Sequence, residues 1–170
     1  LQGCSAIKLG YQQLPNLSYW WLDSAVSFSD AQSVQAKDAL AQLHRWHRTE
    51  ELPVYADLLK RLAAQSAEPL QAQQVCKAWS EVDQAMDRTM RKVVSLAAPV
   101  AQMMTPEQLN HLSLYWTRKN QEWDKEWMQG SASERLERRL GKTVERYSDF
   151  YGPLSAAQTA MVKAQLLQSA

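Results

Sequence analysis

The amino-acid sequence predicts an all-α, bundle-like single domain of about six helices, and three observations carry that prediction. Apolar residues recur at spacings of three and four over long stretches. Capping signatures punctuate those stretches. Gly and Pro are scarce, at 5 and 6 of 170 residues, too few for a turn-rich all-β chain. No stretch alternates polar and apolar residues long enough to read as a strand.

The elements follow in chain order. Pro15-Asn16 opens a short segment carrying Tyr19, Trp20 and Trp21. Residues 29–66 read as a long helix broken near Pro53, because the ring disfavours helical backbone at Leu52 and removes a donor. Val75, Trp79, Val82, Met86, Met90, Val93, Ala97 and Val100 form one apolar stripe, expected to face a core. Leu109, Leu112, Trp116, Trp123 and Trp127 form a second, interrupted by Asn120. Leu136, Leu140, Val144, Tyr147 and Tyr151 form a third, which Gly152-Pro153 stops. A last helix runs from Leu154 towards the chain end. The expected division is a tether over residues 1–14 and one helical domain over residues 15–170.

One short pattern recurs: an apolar residue, then Ser, Thr or Gln, two residues, then Gln. It occupies residues 28–32, 70–74, 104–108 and 154–158. The copies headed by Ser29, Thr105 and Ser155 are capping boxes. In each, the hydroxyl accepts from the third helical N–H and the Gln reaches back to the cap. Pro106 and Glu107 strengthen the third copy, since both suit a first helical turn.

Nineteen Lys+Arg against 18 Asp+Glu leave a formal charge of +1, which argues against a dedicated nucleic-acid binder. No apolar run approaches the ~18 residues of a membrane span. The chain opens Leu1-Gln2-Gly3-Cys4-Ser5. A Leu, a linker, a small residue and Cys form the end of a bacterial lipoprotein signal, with the signal peptide itself expected just upstream. Cys4 is therefore the expected lipid attachment site, with outer-membrane retention suggested by Ser5 after it. Lipidation would leave Cys76 as a buried small apolar residue, whereas an unlipidated Cys4 could bridge to it.

Across nearly its whole length the chain resembles a family of proteobacterial lipoproteins built around a domain of unknown function. The carrying residues are Leu1 to Cys4, Lys8 to Tyr11, Tyr19 to Asp23, and Phe28 to Gln32. They continue with Trp46-His47-Arg48, Glu51 to Tyr55, Lys119-Asn120, Arg138 to Lys142, and Leu154 to Gln158. The resemblance implies a helical, envelope-located lipoprotein and supplies no activity. Met104 to Gln108 is also similar to the LTxxQ motifs of periplasmic chaperones and metal-stress proteins.

Four groups of residues could carry chemistry. His44, His47 and Glu51 fall on one helix face and could hold a divalent metal. The spacing fits no zinc-protease motif, and His111 would have to supply a third imidazole. The favoured reading has His47 donating to the Glu51 carboxylate. Asn120 is expected to be a buried amide bonded to Arg48 or Glu51. Tyr19, Trp20 and Trp21 are either core anchors or membrane-facing aromatics. Arg135, Arg139, Lys142 and Arg146 form a basic stripe that could meet lipid phosphates, or a solvated face.

No nucleophile elbow, Gly-rich phosphate loop or paired-acid motif is present. The expected function is a non-enzymatic envelope lipoprotein, without cofactor or metal, tethered through Cys4 and contacting another envelope component. A periplasmic chaperone is the first alternative and a small-ligand or metal-binding domain the second.

Overall fold

The computed structural model describes residues 3–65 and 71–168. Leu1, Gln2, Leu70 and Ala170 lie outside the described residues, as does the side chain of the expected lipid site Cys4. Every regular element among the described residues is helical. These are α1 (Gly3–Val26), α2 (Asp30–Trp46), α3 (Leu52–Gln65), α4 (Ala72–Ala101), α5 (Pro106–Trp127), α6 (Ala132–Tyr151) and α7 (Ala156–Gln168). A π-helical turn, His47–Glu51, joins α2 to α3 without a break, so the described chain folds as six continuous helical rods.

The prolines act differently from expectation. Near Pro53 the helix widens instead of breaking: the Leu52 N–H reaches five residues back to the His47 carbonyl. The extra residue in that turn relieves the clash between the Pro53 ring and the preceding turn. Pro15 lies within α1, which runs through the expected tether boundary at residues 14 and 15.

The chain divides into two compact units, Leu1–Ser113 and Leu114–Ala170, with the boundary inside α5. In the first unit, α1 and α4 each pack on α2, and α3 packs on α4. The buried apolar residues there are Ala25, Val26, Ala36, Leu58, Ala85 and Val100. Three are alanines, whose small side chains let helix backbones approach closely. In the second unit α6 packs on α7, and Leu140 is the one buried apolar residue among those described.

Thin burial corrects three expectations. On α4, only the C-terminal part of the stripe, Val93, Ala97 and Val100, lines a cavity with Leu40 and Leu43 of α2. Its N-terminal part, Val75, Trp79, Met86 and Met90, stays exposed, at 52%, 71%, 62% and 58%. Along α5 no described residue is buried, and Leu109, Trp116 and Trp123 face solvent. Cys76 is a free, exposed thiol and not a buried apolar residue, since it lies on the solvent side of α4.

The capping boxes form at Ser29, Thr105 and Ser155, each with its Gln returning to the cap N–H. Gln71 and Gln74 make a fourth reciprocal pair. A fifth box, Ser131 with Glu134, starts α6; its S-x-x-E signature was legible, but the recurring pattern had been defined on Gln. Gly152, at φ 80°, ends α6 where the Gly-Pro signal predicted.

Candidate functional site

The histidine end of α2 is built by a defect in α1. Pro15 has no N–H, so the carbonyl of Tyr11 four residues earlier loses its helical donor. His44 supplies the replacement: its Nε2–H donates to the Tyr11 carbonyl at 3.1 Å. One turn further, the Tyr11 hydroxyl bonds His47 Nδ1 at 3.1 Å. The Tyr11 ring packs 4.6 Å from that of His44, and Tyr55 meets His47 edge-on at 5.6 Å. Burial raises the Tyr11 phenol above its usual range, opposed by the nearby Arg48 cation, so it remains a donor. Arg48 itself is exposed.

Glu51 is buried, at 2% exposure, but its partner is not His47. Arg88 of α4 donates through Nε and Nη2 to both carboxylate oxygens, each at 2.9 Å. The guanidinium fork satisfies both oxygens at once, which a single imidazole N–H cannot. Those bonds hold the Glu51 carboxyl below the usual carboxylate range against the opposing effect of burial. With Glu51 committed to Arg88 and His47 to Tyr11, the metal reading loses its ligand set. Among the described residues no three His, Cys, Asp or Glu side chains come together as a metal site. His111 is occupied elsewhere, its Nδ1 3.0 Å from the Ala25 carbonyl at the end of α1.

Asn120 is not the buried amide expected. It is exposed on the second unit's part of α5. The buried amide is Gln32, at 3% exposure, and its partner is Gln108. These are the closing residues of two copies of the recurring motif, and no sequence signal shows that the copies meet.

Tyr19 packs inward: its hydroxyl donates to Ser33 Oγ at 2.9 Å, and the Lys37 ammonium sits 4.4 Å from its ring centre. Trp20 and Trp21 instead remain 68% and 51% exposed, so neither is a core anchor. The basic stripe is divided. Arg135 donates to the Gly130 carbonyl at 2.6 Å and, with Arg139, lines an open cleft of about 740 Å³ beside Trp123, Trp127 and Leu136. Lys142 pairs with Glu145 at 3.3 Å, and Arg146 is exposed.

Neither the curated proteins nor the solved structures include a match to this chain. A family model matches residues 25–170, a span that contains the π turn, the Glu51–Arg88 pair and the Gln32–Gln108 contact. On that match the chain belongs to DUF6279, a family of unknown function.

Proposed function

We propose that this protein is a non-enzymatic bacterial lipoprotein, acylated on Cys4, that lies on the periplasmic side of the outer membrane and contacts another envelope component. The observation that carries the reading is the placement of exposed apolar residues on the helix that begins at the lipobox. Ile7, Leu14, Leu17 and Trp21 share one face of α1 and are 77%, 45%, 50% and 51% exposed. Lys8 and Asp23 are the only charged residues in that helix.

Geometry constrains the arrangement. Cys4 and Trp21 are separated by about 26 Å along a helix axis at 1.5 Å per residue. A lipid at Cys4 and a tryptophan in the headgroup zone can coexist only if α1 lies along the bilayer surface. The polar groups of the first unit support a non-enzymatic role, because His44, His47, Glu51, Gln32 and Gln108 all serve helix-to-helix bonds. The anchor would raise the effective concentration of the domain at its partner.

Mass spectrometry of the product matured from the full-length precursor tests the anchor: a diacylglyceryl-modified Cys4 in the outer-membrane fraction is expected. A bare thiol in a soluble fraction rejects it. A blue shift of tryptophan fluorescence on liposomes, lost with Trp20→Ser and Trp21→Ser, tests the docking of α1. Crosslinking in intact cells tests contact with an envelope component, and recovery of no specific partner counts against it.

One observation favours the chaperone alternative. Val75, Trp79, Met86 and Met90 make an exposed apolar face on α4, and methionine-rich faces adapt to varied partners. Substoichiometric suppression of client aggregation, lost with Trp79→Ser and Met86→Ser, supports that role; no suppression removes it.

A further inference from the structure

Three corners of the described chain are closed by the recurring motif: α1 to α2 at Gln32, α4 to α5 at Gln108, and α6 to α7 at Gln158. The first two hold each other. Each Gln accepts from the backbone N–H of its own cap and donates one amide N–H to the other's side-chain oxygen. The second amide N–H goes to the carbonyl five residues before the other Gln, Met103 in one direction and Ser27 in the other. The same atoms are given and received both ways. Such a contact is self-complementary, as a two-fold interface between identical copies must be.

The third corner carries the same local half without a partner. Gln158 accepts from the Ser155 N–H at 2.9 Å, and its own N–H donates to Ser155 Oγ at 3.3 Å. Its side chain is exposed, and its amide N–H groups reach no acceptor among the described residues. Exposed apolar side chains adjoin it. Phe150 and Tyr151, which end α6, are 85% and 81% exposed, and Met161 lies one turn beyond Gln158 on the same side of α7. Val100 stands eight residues before Gln108, as Phe150 does before Gln158, and it is buried.

We propose that the α6–α7 corner is a contact between two copies of this chain, Gln158 of one copy pairing with Gln158 of the other as Gln32 pairs with Gln108. At about 200 Å² per aromatic side chain, Phe150 and Tyr151 from both copies supply about 600 Å² of buried surface. Met161 and the paired caps bring the total to about 1,000 Å², the lower limit for a specific contact, which fits a weak and reversible dimer. In water the amide bonds alone contribute little. The aromatic rings shield them from water, and the amides set the register. The contact does not depend on the anchor at Cys4, so the two readings can fail separately.

The test is sedimentation equilibrium of the whole unlipidated chain, under reducing conditions that keep Cys76 from crosslinking. A monomer–dimer equilibrium with a Kd on the order of 0.1 mM is expected. Gln158→Glu separates pairing from capping. Glu134 closes the Ser131 box of α6, so a carboxylate caps a helix as an amide does; but it donates nothing and would set two anions face to face. Gln158→Glu should weaken the dimer at least about tenfold with circular dichroism unchanged. Phe150→Ser, which removes apolar area, should weaken it likewise and replaces Gln158→Glu if that variant is unfolded. A chain that stays monomeric up to about 1 mM overturns the proposal, as does a dimer that Gln158→Glu leaves intact. Loss of such a dimer in Trp79→Ser would put the contact on α4 and reject the corner.

Discussion

Gln32 and Gln108 hold each other's side-chain amides while each completes its own capping box. Gln108 Nε2 donates to Gln32 Oε1 at 2.7 Å, and Gln32 Nε2 donates to Gln108 Oε1 at 3.0 Å. The remaining N–H groups go to the Met103 and Ser27 carbonyls, each at 2.8 Å, and the oxygens also accept from Ser29 N and Thr105 N. The starts of α2 and α5 are thereby fastened together. The bond to Ser27 also steadies a non-glycine residue at φ 57°.

Replacing either amide strands several backbone groups at once. Gln32→Leu should cost about 1–3 kcal/mol of folding stability, because Gln32 is the more buried partner. Gln108→Leu should cost somewhat less. Urea denaturation of both single variants and the double variant should give a double loss smaller than the two single losses added, since they share one network. Strict additivity would show that the amides do not cooperate.

The repair of α1 by His44 makes a sharper prediction. His44→Phe removes the donor to the Tyr11 carbonyl and should destabilise by about 1 kcal/mol or more. Pro15→Ala returns the natural helical donor to that carbonyl. Pro15→Ala should therefore recover much of the loss in the His44→Phe background. An equal effect of Pro15→Ala with and without His44 would separate the two residues.

Acid should release the Glu51–Arg88 pair. The bonds from Arg88 hold the folded carboxyl below its usual range, so the folded state favours the ionised form. The unfolded chain titrates near the ordinary glutamate value of about 4.3. The pair's contribution is complete above that value and is lost as pH falls through the lower folded value. Denaturation of the wild type and Glu51→Gln between neutral pH and about pH 3 should show a stability difference that narrows on acidification. A constant difference would reject the assignment. Arg88→Met, which leaves the carboxylate buried and alone, should lower stability at neutral pH, the loss moderated by the solvent exposure of the guanidinium.

Asn120→Leu should leave stability within about 0.5 kcal/mol of wild type, as expected for an exposed position outside any bonded network. A loss of several kcal/mol would restore the buried-amide reading. The same denaturation assay distinguishes them.

The helices and their starts were legible because a hydroxyl and a Gln three residues apart act within one turn. Ser29, Thr105 and Ser155 cap helices as their spacing predicts. Contacts between helices were not legible in the same way. Spacing identified Gln32 and Gln108 as caps, yet it could not show that two caps lie side by side. Glu51 was recognised as a candidate, but its partner Arg88 lies 37 positions along the chain. The gap in the tryptophan stripe suggested a buried Asn120, whereas so little of α5 is covered that the gap carries no burial.

By itself the sequence determined the all-helical class and the helix starts at Ser29, Thr105 and Ser155, because each depends on bonds within a few neighbouring residues. Only tertiary structure decided which apolar faces are covered, that Arg88 and not His47 neutralises Glu51, and that His44 repairs the backbone at Pro15. Those outcomes depend on how α1 and α4 settle against α2, where Ala25, Ala36 and Ala85 are buried while Trp20, Trp21 and Trp79 stay exposed. The periodicity marks a helix face; packing selects how much of that face leaves water.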